Sequence, residues 1–131
     1  MRQRAAGVII KDGKILLLHR QKAGKVYYVI PGGGLEAGET PQQAAIREIK
    51  EETNLDVEID ELIFEFIGVY KYPEYFFTVK NIQGEARLGG EELEKNCEEN
   101  HYAIAWIELE KLSEINLLPQ EIKEKIISTL K

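Results

Sequence analysis

A glycine-rich loop followed at once by a strongly acidic helix is the feature of this chain that most restricts its fold. Thr40, Pro41 and Gln43 form a helix-start signal, because threonine caps a helix, proline suits its first position and glutamine completes a capping box. Asn54 follows, and asparagine readily adopts the left-handed conformation that ends a helix. The sequence therefore predicts a helix from about Pro41 to Thr53.

Three carboxylates share one face of this predicted helix. At about 100° per residue, Glu48, Glu51 and Glu52 fall within an arc of roughly 100°, where like charges repel unless something neutralises them. Oxygen ligands of this kind suit Mg²⁺ or Mn²⁺ better than Zn²⁺, and Mg²⁺ commonly binds through one or two carboxylates together with substrate phosphates. The neighbouring arc is apolar and is predicted to pack against a sheet through Ala45, Ile46 and Ile49.

Each half of this feature also has an ordinary structural explanation. An acidic helix face is often only solvated, with intrahelical ion pairs such as Arg47 to Glu51. The glycine run at residues 31–34 would, on its own, predict a turn. Between a strand and a carboxylate-bearing helix, however, such a loop lets the backbone approach a phosphate closely. Because the loop, the spacing and the Arg47-Glu48 pair agree, we favour a metal site.

The same residues closely resemble the Nudix box. Its pattern is Gly, five residues, Glu, seven residues, Arg-Glu, an aliphatic, any residue, Glu-Glu, any residue, Gly and an aliphatic. The residues that fall in register with this pattern are Gly33, Glu39, Arg47, Glu48, Ile49, Glu51, Glu52 and Leu55. Asn54 departs from it, since the family has Gly there, but the change is conservative in backbone terms and we expect no functional loss.

The resemblance implies a Nudix-type α/β/α sandwich around a mixed β-sheet, in a single domain spanning residues 1–131. It also implies a Mg²⁺-dependent hydrolase, with Mn²⁺ as a substitute, that splits the pyrophosphate linkage of a nucleoside diphosphate joined to another moiety. Nucleoside triphosphates, oxidised nucleotides, ADP-sugars and dinucleoside polyphosphates all share that core. The alternative is a catalytically silent Nudix module that senses a nucleotide. Such modules usually lose box carboxylates, whereas this chain keeps all three.

The family pattern also assigns roles within the box. Glu48 and Glu52 are implied as the principal metal ligands, and Glu51 as a further ligand or as the base that orients the attacking water. The backbone carbonyl of Gly33 is implied to join the metal shell. Together these groups would supply charge neutralisation and a water positioned for in-line attack, which are what phosphoryl transfer requires.

Two further catalytic assignments lie outside the carboxylate face. The resemblance implies that Glu39 pairs with Arg47 and holds the loop onto the helix, so that Arg47 orients the site and does not clamp phosphate. In this family the general base often comes from a distant loop, and we choose Glu99 for that role. Its competitors in the same acidic segment are Glu91, Glu92 and Glu98. A merely solvated acidic loop explains this segment about as well.

Charge and composition limit the partners of the chain. Its net charge of −6 argues against a long nucleic acid, an RNA end included, but not against a small nucleotide whose phosphates meet a metal. We expect no membrane segment and no signal peptide, because no apolar run reaches spanning length and the N-terminus lacks an apolar core. The single cysteine, Cys97, fits a reducing cytoplasm. The resemblance adds a homodimer as an expectation.

Periodicity outside the box predicts mostly strands. Residues 5–20 are predicted to form a hairpin that turns at Asp12-Gly13, a type I′ signal. Further strands are predicted at residues 26–30, 55–59, 62–70, 75–80 and 101–109. A short helix is predicted near residues 109–113, and a second helix at 119–130 carries a core-facing stripe of Ile122, Ile126 and Leu130.

Aromatic and basic residues outside the box carry weaker signals. Aromatic residues in strands are usually core or cross-strand pairs, and Tyr28 and Tyr72 are the better candidates for stacking on a base. Arg4, Arg20 and Lys25 could meet phosphates, although isolated surface charges are common and favour a solvated role.

Overall fold

Strands and helices fill most of residues 3–67, 71–89 and 100–129, which are the residues that the computed structural model describes. The strands are β1 Arg4–Val8, β2 Ile10–Lys11, β3 Lys14–Lys22, β4 Lys25–Val29, β5 Gly32–Gly34, β6 Asp56–Ile67, β7 Pro73–Gln83, β8 Asn100–Glu108 and β9 Leu117–Leu118. The helices are α1 Pro41–Thr53, a 3-10 helix Leu109–Glu114 and α2 Gln120–Thr129.

The strands are divided between two mixed sheets. One sheet has the order β5-β1-β7-β6, in which β1 runs parallel to β7 and antiparallel to β5. The other has the order β2-β3-β4-β9, with β8 also paired to β3 and with β4 parallel to β9. The predicted α/β fold with mixed sheet and flanking helices is confirmed.

The two long helices cover opposite faces of the sheets. Successive strand residues point to opposite faces, so Ala6 and Val8 join the cluster of Ile122 and Ile126 from α2. Ile9 and Leu16 instead pack with Ile49 of α1, and Ala5 packs with Ala44 and Ala45. We call these two surfaces the α2 face and the α1 face. The functional residues discussed below belong to one face or the other.

The predicted hairpin at residues 5–20 is wrong for most of its first strand. Only Ile10–Lys11 pairs with β3, around a turn in which Asp12 and Gly13 have φ of 54° and 75°, as a type I′ turn requires. Arg4–Val8 joins the other sheet, between β5 and β7. The pairing with β5, which consists of Gly32–Gly34 and which we call the glycine strand, explains this. A Cβ at Gly32 would overlap the Ala5 carbonyl, so β1 and β5 approach this closely only because residue 32 lacks a side chain.

Two further strand predictions needed correction. Residues 56–67 form one strand, where two were predicted, because the pairing with β7 shifts between Ile59 and Leu62 and the strand continues through this irregularity. Tyr70, the predicted end of the second strand, lies outside the described residues. The final helix is confirmed at Gln120–Thr129 with Ile122 and Ile126 buried, while Leu130 also lies outside the described residues.

The apolar side of α1 differs from the prediction at one position. Ala45 and Ile49 are buried as predicted, but Ile46 is 38% exposed and Ala44 takes its place against the sheet. The closeness of α1 to β1 explains this exchange, because small alanine side chains allow the helix to approach Ala5 and Phe77. Within the described ranges, no helix is both long and apolar enough to cross a membrane.

Candidate active site and metal centre

Both ends of α1 are set by the residues that the sequence indicated. The Thr40 hydroxyl accepts a hydrogen bond from the Gln43 amide at 3.1 Å, and the Gln43 side chain accepts one from the Thr40 amide at 2.9 Å. At the other end Asn54 is left-handed, with φ of 67°, and its amide donates to the Lys50 carbonyl. The predicted capping box and the predicted helix end are therefore confirmed, and they place the carboxylate-bearing turns of α1 beside β5.

Arg47 ties the glycine loop to the helix. Its Nε and Nη2 donate to the two carboxylate oxygens of Glu39 at 2.7 and 3.0 Å, and Nη2 also donates to the Gly34 carbonyl at 2.9 Å. The hydrogen bond to Glu39 raises the pKa of Arg47 above its already high ordinary value, so the guanidinium stays charged. The predicted pairing of Arg47 with Glu39 is confirmed.

The remaining nitrogen of Arg47 lies among three other carboxylates. Nη1 is 3.3 Å from Glu51, 3.4 Å from Glu48 and 3.6 Å from Glu36. Glu36 lies outside the box pattern, and its exposed side chain also joins this group. The contact with Glu51 is the intrahelical pair of the ordinary explanation. It is one contact of several, and together they engage all three guanidinium nitrogens with protein groups, which agrees with an orienting role.

Glu52 and Glu48 are held directly against the glycine strand. Glu52 is only 4% exposed, and its Oε1 accepts a hydrogen bond of 2.7 Å from the Gly32 amide. A Cβ at Gly33 would overlap the Glu48 carboxylate, so glycine at this position leaves the room that the carboxylate occupies. Backbone and carboxylate oxygens are thus brought together around β5, and an all-oxygen donor set of this kind fits a hard divalent cation.

Comparison with known proteins assigns this loop and helix to a family. The family model described as the NUDIX domain matches residues 1–129. The chain belongs to the Nudix family. The predicted family is therefore confirmed, and residues 33–55, which run from β5 through α1, are the segment that matches its Nudix box.

Curated relatives share parts of this Nudix chain. An ADP-ribose pyrophosphatase of Methanocaldococcus jannaschii is 45% identical over 69 residues, which cover 52% of this chain and 38% of that protein. Putative nudix hydrolase 1 of Caenorhabditis elegans is 30% identical over 118 residues, which cover 82% of this chain and 29% of that protein. The matched segment is therefore well under half the length of either relative.

A solved structure with the same fold covers nearly the whole chain. The E. coli ORF135 protein superposes with a TM-score of 0.76 at 24% identity, over 98% of this chain and 89% of that one. At this identity the likeness shows the fold alone. The superposition agrees with the arrangement seen in this Nudix chain, in which α1 and α2 flank two sheets.

The three acidic residues of the Nudix helix do not converge on one point as the side chains stand. Glu48 and Glu51 turn toward Arg47, and Glu52 turns toward the Gly32 amide. Across the described parts of the chain, no group of three or more His, Cys, Asp or Glu side chains is arranged to hold a metal ion. The assignment of Glu48, Glu51, Glu52 and Gly33 to metal stays a prediction.

Several predicted residues fall elsewhere. Glu99, the chosen base, lies outside the described residues, as do its competitors Glu91, Glu92 and Glu98 and the single cysteine, Cys97. Tyr28 packs against the core on the α2 face and meets the His19 ring edge-on at 5.1 Å between centroids. This contact gives Tyr28 a cross-strand packing role. Tyr72 is partly exposed near the start of β7.

A cavity beside the Nudix box was not predicted from the sequence. It has a volume of about 360 Å³ and is lined by residues of both sheets. Its wall includes Ala5 and Ala6, which pair with Gly33 and Gly32 of the loop. The rest of the lining is mainly apolar, with one cation and one carboxylate: Arg4, Val29, Ile30, Phe66, Glu74, Tyr75, Phe76, Leu118 and Pro119. No local sequence signal marks it, because it is built by residues far apart in the chain.

Proposed function

We propose that this chain hydrolyses the pyrophosphate linkage of a nucleoside diphosphate joined to another moiety, with Mg²⁺ as the cofactor. The observation that carries the proposal is the attachment of the glycine strand to the acidic helix. Arg47 holds Glu39 and the Gly34 carbonyl, while Gly32 donates to Glu52. This arrangement brings backbone amides and carboxylates to one edge of the sheet, where a diphosphate and a divalent cation would bind together.

Each residue of the proposed site has a separate proposed role. Glu48 and Glu52, with the Gly33 carbonyl, would hold the cation, and Glu51 would complete its shell or orient the attacking water. When bound, the cation neutralises charge on the non-bridging oxygens and lowers the pKa of a coordinated water. Arg47 keeps the loop and the helix in register, and Glu99 is the proposed general base.

The cavity beside the Nudix box supports a nucleotide as the substrate. It begins at the strand that pairs with the glycine loop, so a diphosphate over β5 would leave its nucleoside beside Phe76 and Ile30. Apolar and aromatic walls with a few polar groups are typical of such sites. The ADP-ribose pyrophosphatase among the relatives supports an ADP-sugar within the class, alongside nucleoside triphosphates and oxidised nucleotides. The net charge of −6 favours a small nucleotide over a long RNA.

A substrate panel tests this function. We would assay the chain with Mg²⁺ on nucleoside triphosphates, oxidised nucleotides, ADP-ribose and dinucleoside polyphosphates, beside the variant Glu52→Gln. We expect turnover by the wild type and a loss of at least 100-fold in kcat for the variant, because removal of a metal ligand weakens the charge stabilisation of the transition state. Glu124→Gln, an exposed change on α2, is the control and should keep full activity.

Two results would contradict the proposal. Turnover that survives in Glu52→Gln would remove the metal role of the Nudix helix. Tight nucleotide binding with no turnover across the whole panel would instead identify a silent binding module.

A further inference from the structure

A groove beside the Asp12-Gly13 turn is distinct from the cavity beside the Nudix box. It has a volume of about 470 Å³, which is within the range of small-molecule sites, and its lining includes Lys11, Lys14, Glu85 and Trp106. Among the described residues that line it, none is a carboxylate of the Nudix box and none lines the other cavity. The groove is therefore a separate candidate site.

Two lysines on one side of the hairpin turn give this groove its positive charge. Lys11 on β2 and Lys14 on β3 are directly opposite each other, so their side chains project from the same face of the sheet. Like charges in this position destabilise a sheet. Neither lysine makes an ion pair with any carboxylate in the described ranges, although Asp12 and Glu85 also line the groove. A ligand with an anionic group would relieve the repulsion between them.

An aromatic ring forms another part of the groove. Trp106 on β8 is opposite Leu16, and it packs together with Ile82 and Ala86 against the buried cluster that contains Ile49 of α1. The tryptophan is only partly buried, so the core holds one part of the indole while another part lines the groove. A fixed and accessible indole is a good surface on which a planar ring can stack.

Two carboxylates add hydrogen-bond acceptors to the groove. Asp12 and Glu85 line it, and neither is in an ion pair with another described residue. The backbone that carries Glu85 is held in place, because its carbonyl accepts a hydrogen bond of 3.1 Å from the Asn54 side chain. Carboxylates accept strong hydrogen bonds from hydroxyl and amino groups. The groove therefore offers cations, an aromatic surface and acceptors together.

We propose that this groove is a second ligand site that binds a nucleoside monophosphate. Its phosphate would meet Lys11 and Lys14, its base would stack on Trp106, and its sugar hydroxyls would donate to Glu85 or Asp12. A phosphate carries between one and two negative charges and several acceptor oxygens, which suits a pair of lysines. An anion without donor groups would leave the two carboxylates without a partner. The proposal does not depend on the proposed hydrolysis, because the two sites share no catalytic residue.

The fluorescence of Trp106 tests this site directly, because Trp106 is the only tryptophan of the chain. We expect titration with AMP, in EDTA to remove divalent metal, to change the fluorescence until the groove is saturated. The double variant Lys11→Gln and Lys14→Gln should bind AMP at least about tenfold more weakly, since both charged contacts with the phosphate are lost. Lys125→Gln removes a positive charge from an exposed position on α2 and should bind AMP like the wild type.

The base and the phosphate of the ligand can be tested separately. Adenosine carries no phosphate, so it should bind at least about tenfold more weakly than AMP, and the lysine double variant should leave its affinity unchanged. Calorimetry with Trp106→Leu should show AMP binding about tenfold weaker, because the base loses its stacking partner. If Trp106→Leu does not fold, the comparison of AMP with adenosine in the lysine variant decides in the same way.

The variant Glu52→Gln separates this groove from the Nudix box, and its affinity for AMP should equal that of the wild type. An AMP affinity that falls in Glu52→Gln but not in the lysine variant would place AMP at the box and overturn the proposal. A wild type that shows neither a fluorescence change nor binding heat with AMP would also overturn it. Because the lysines and Trp106 have no part in the proposed hydrolysis, turnover of the nucleotide panel would survive either result.

Discussion

At the scale of single residues, the missing side chain of Gly33 is what lets the Glu48 carboxylate approach the loop. Gly33 has no side chain, and the Glu48 carboxylate occupies the space where a Cβ would project. A methyl group there must displace either the carboxylate or the strand. Since Gly33 does not have a positive φ, the backbone itself accepts alanine. The consequence of a substitution should therefore fall on Glu48 and on metal binding rather than on the fold.

We predict that Gly33→Ala weakens Mg²⁺ binding at least tenfold and lowers kcat, with a small change in melting temperature, because the displaced carboxylate can no longer meet the cation. Titration with Mn²⁺, followed by electron paramagnetic resonance, measures the affinity, and a thermal melt measures the fold. Ala37→Gly, an exposed change in the same loop, is the control. Wild-type Mn²⁺ affinity in Gly33→Ala would show that Glu48 does not hold the metal.

At the scale of elements, both ends of α1 were predicted because the residues that set them contact only nearby backbone groups. Thr40, Gln43 and Asn54 act on amides and carbonyls within four residues of themselves, so their effect can be predicted without the tertiary structure. The link from Glu39 to Arg47 also connects neighbouring parts of the chain. The pairing of strand β1 was predicted less well, because its partners β5 and β7 follow much later in the chain. Hydrophobic alternation predicts that a strand forms but not which strand it pairs with.

The end of α1 yields a prediction about stability. Asn54 combines a left-handed backbone with a hydrogen bond from its side-chain amide to the Glu85 carbonyl at 3.1 Å. Asn54→Ala should lower the free energy of unfolding by about 1–2 kcal/mol, because alanine resists a positive φ and loses the hydrogen bond. Asn54→Gly loses only the hydrogen bond and should cost about 1 kcal/mol or less.

Urea denaturation of the three proteins measures these differences, and the activity per folded molecule should stay constant. Because both variants lose the contact with Glu85, a glycine variant less stable than the alanine variant would contradict the role assigned to the left-handed backbone.

At the scale of the whole molecule, the site is assembled from parts that no local pattern connects. The cavity wall joins Arg4 to Leu118, which lie at opposite ends of the chain. Residue types in these segments are those of ordinary strands, so the box predicts the reaction but not the place of the nucleoside. The two mixed sheets bring these groups together, with the proposed diphosphate site at β5 and, beside it, the cavity that residues of both sheets line.

This division predicts that the two halves of a nucleotide can be tested separately. Leu118 lines the cavity and is 40% exposed, so Leu118→Trp should fill part of the cavity from its open side with little effect on the fold. We expect nucleotide affinity to fall at least about tenfold while Mg²⁺-pyrophosphate affinity stays unchanged, since a lost apolar contact of about 1.4 kcal/mol is a factor of ten. Leu62→Trp, an exposed change on β6, is the matched control. If Leu118→Trp weakened the affinity for pyrophosphate as much as the affinity for nucleotide, the substitution would act on the diphosphate site. The cavity would then not be the place of the nucleoside.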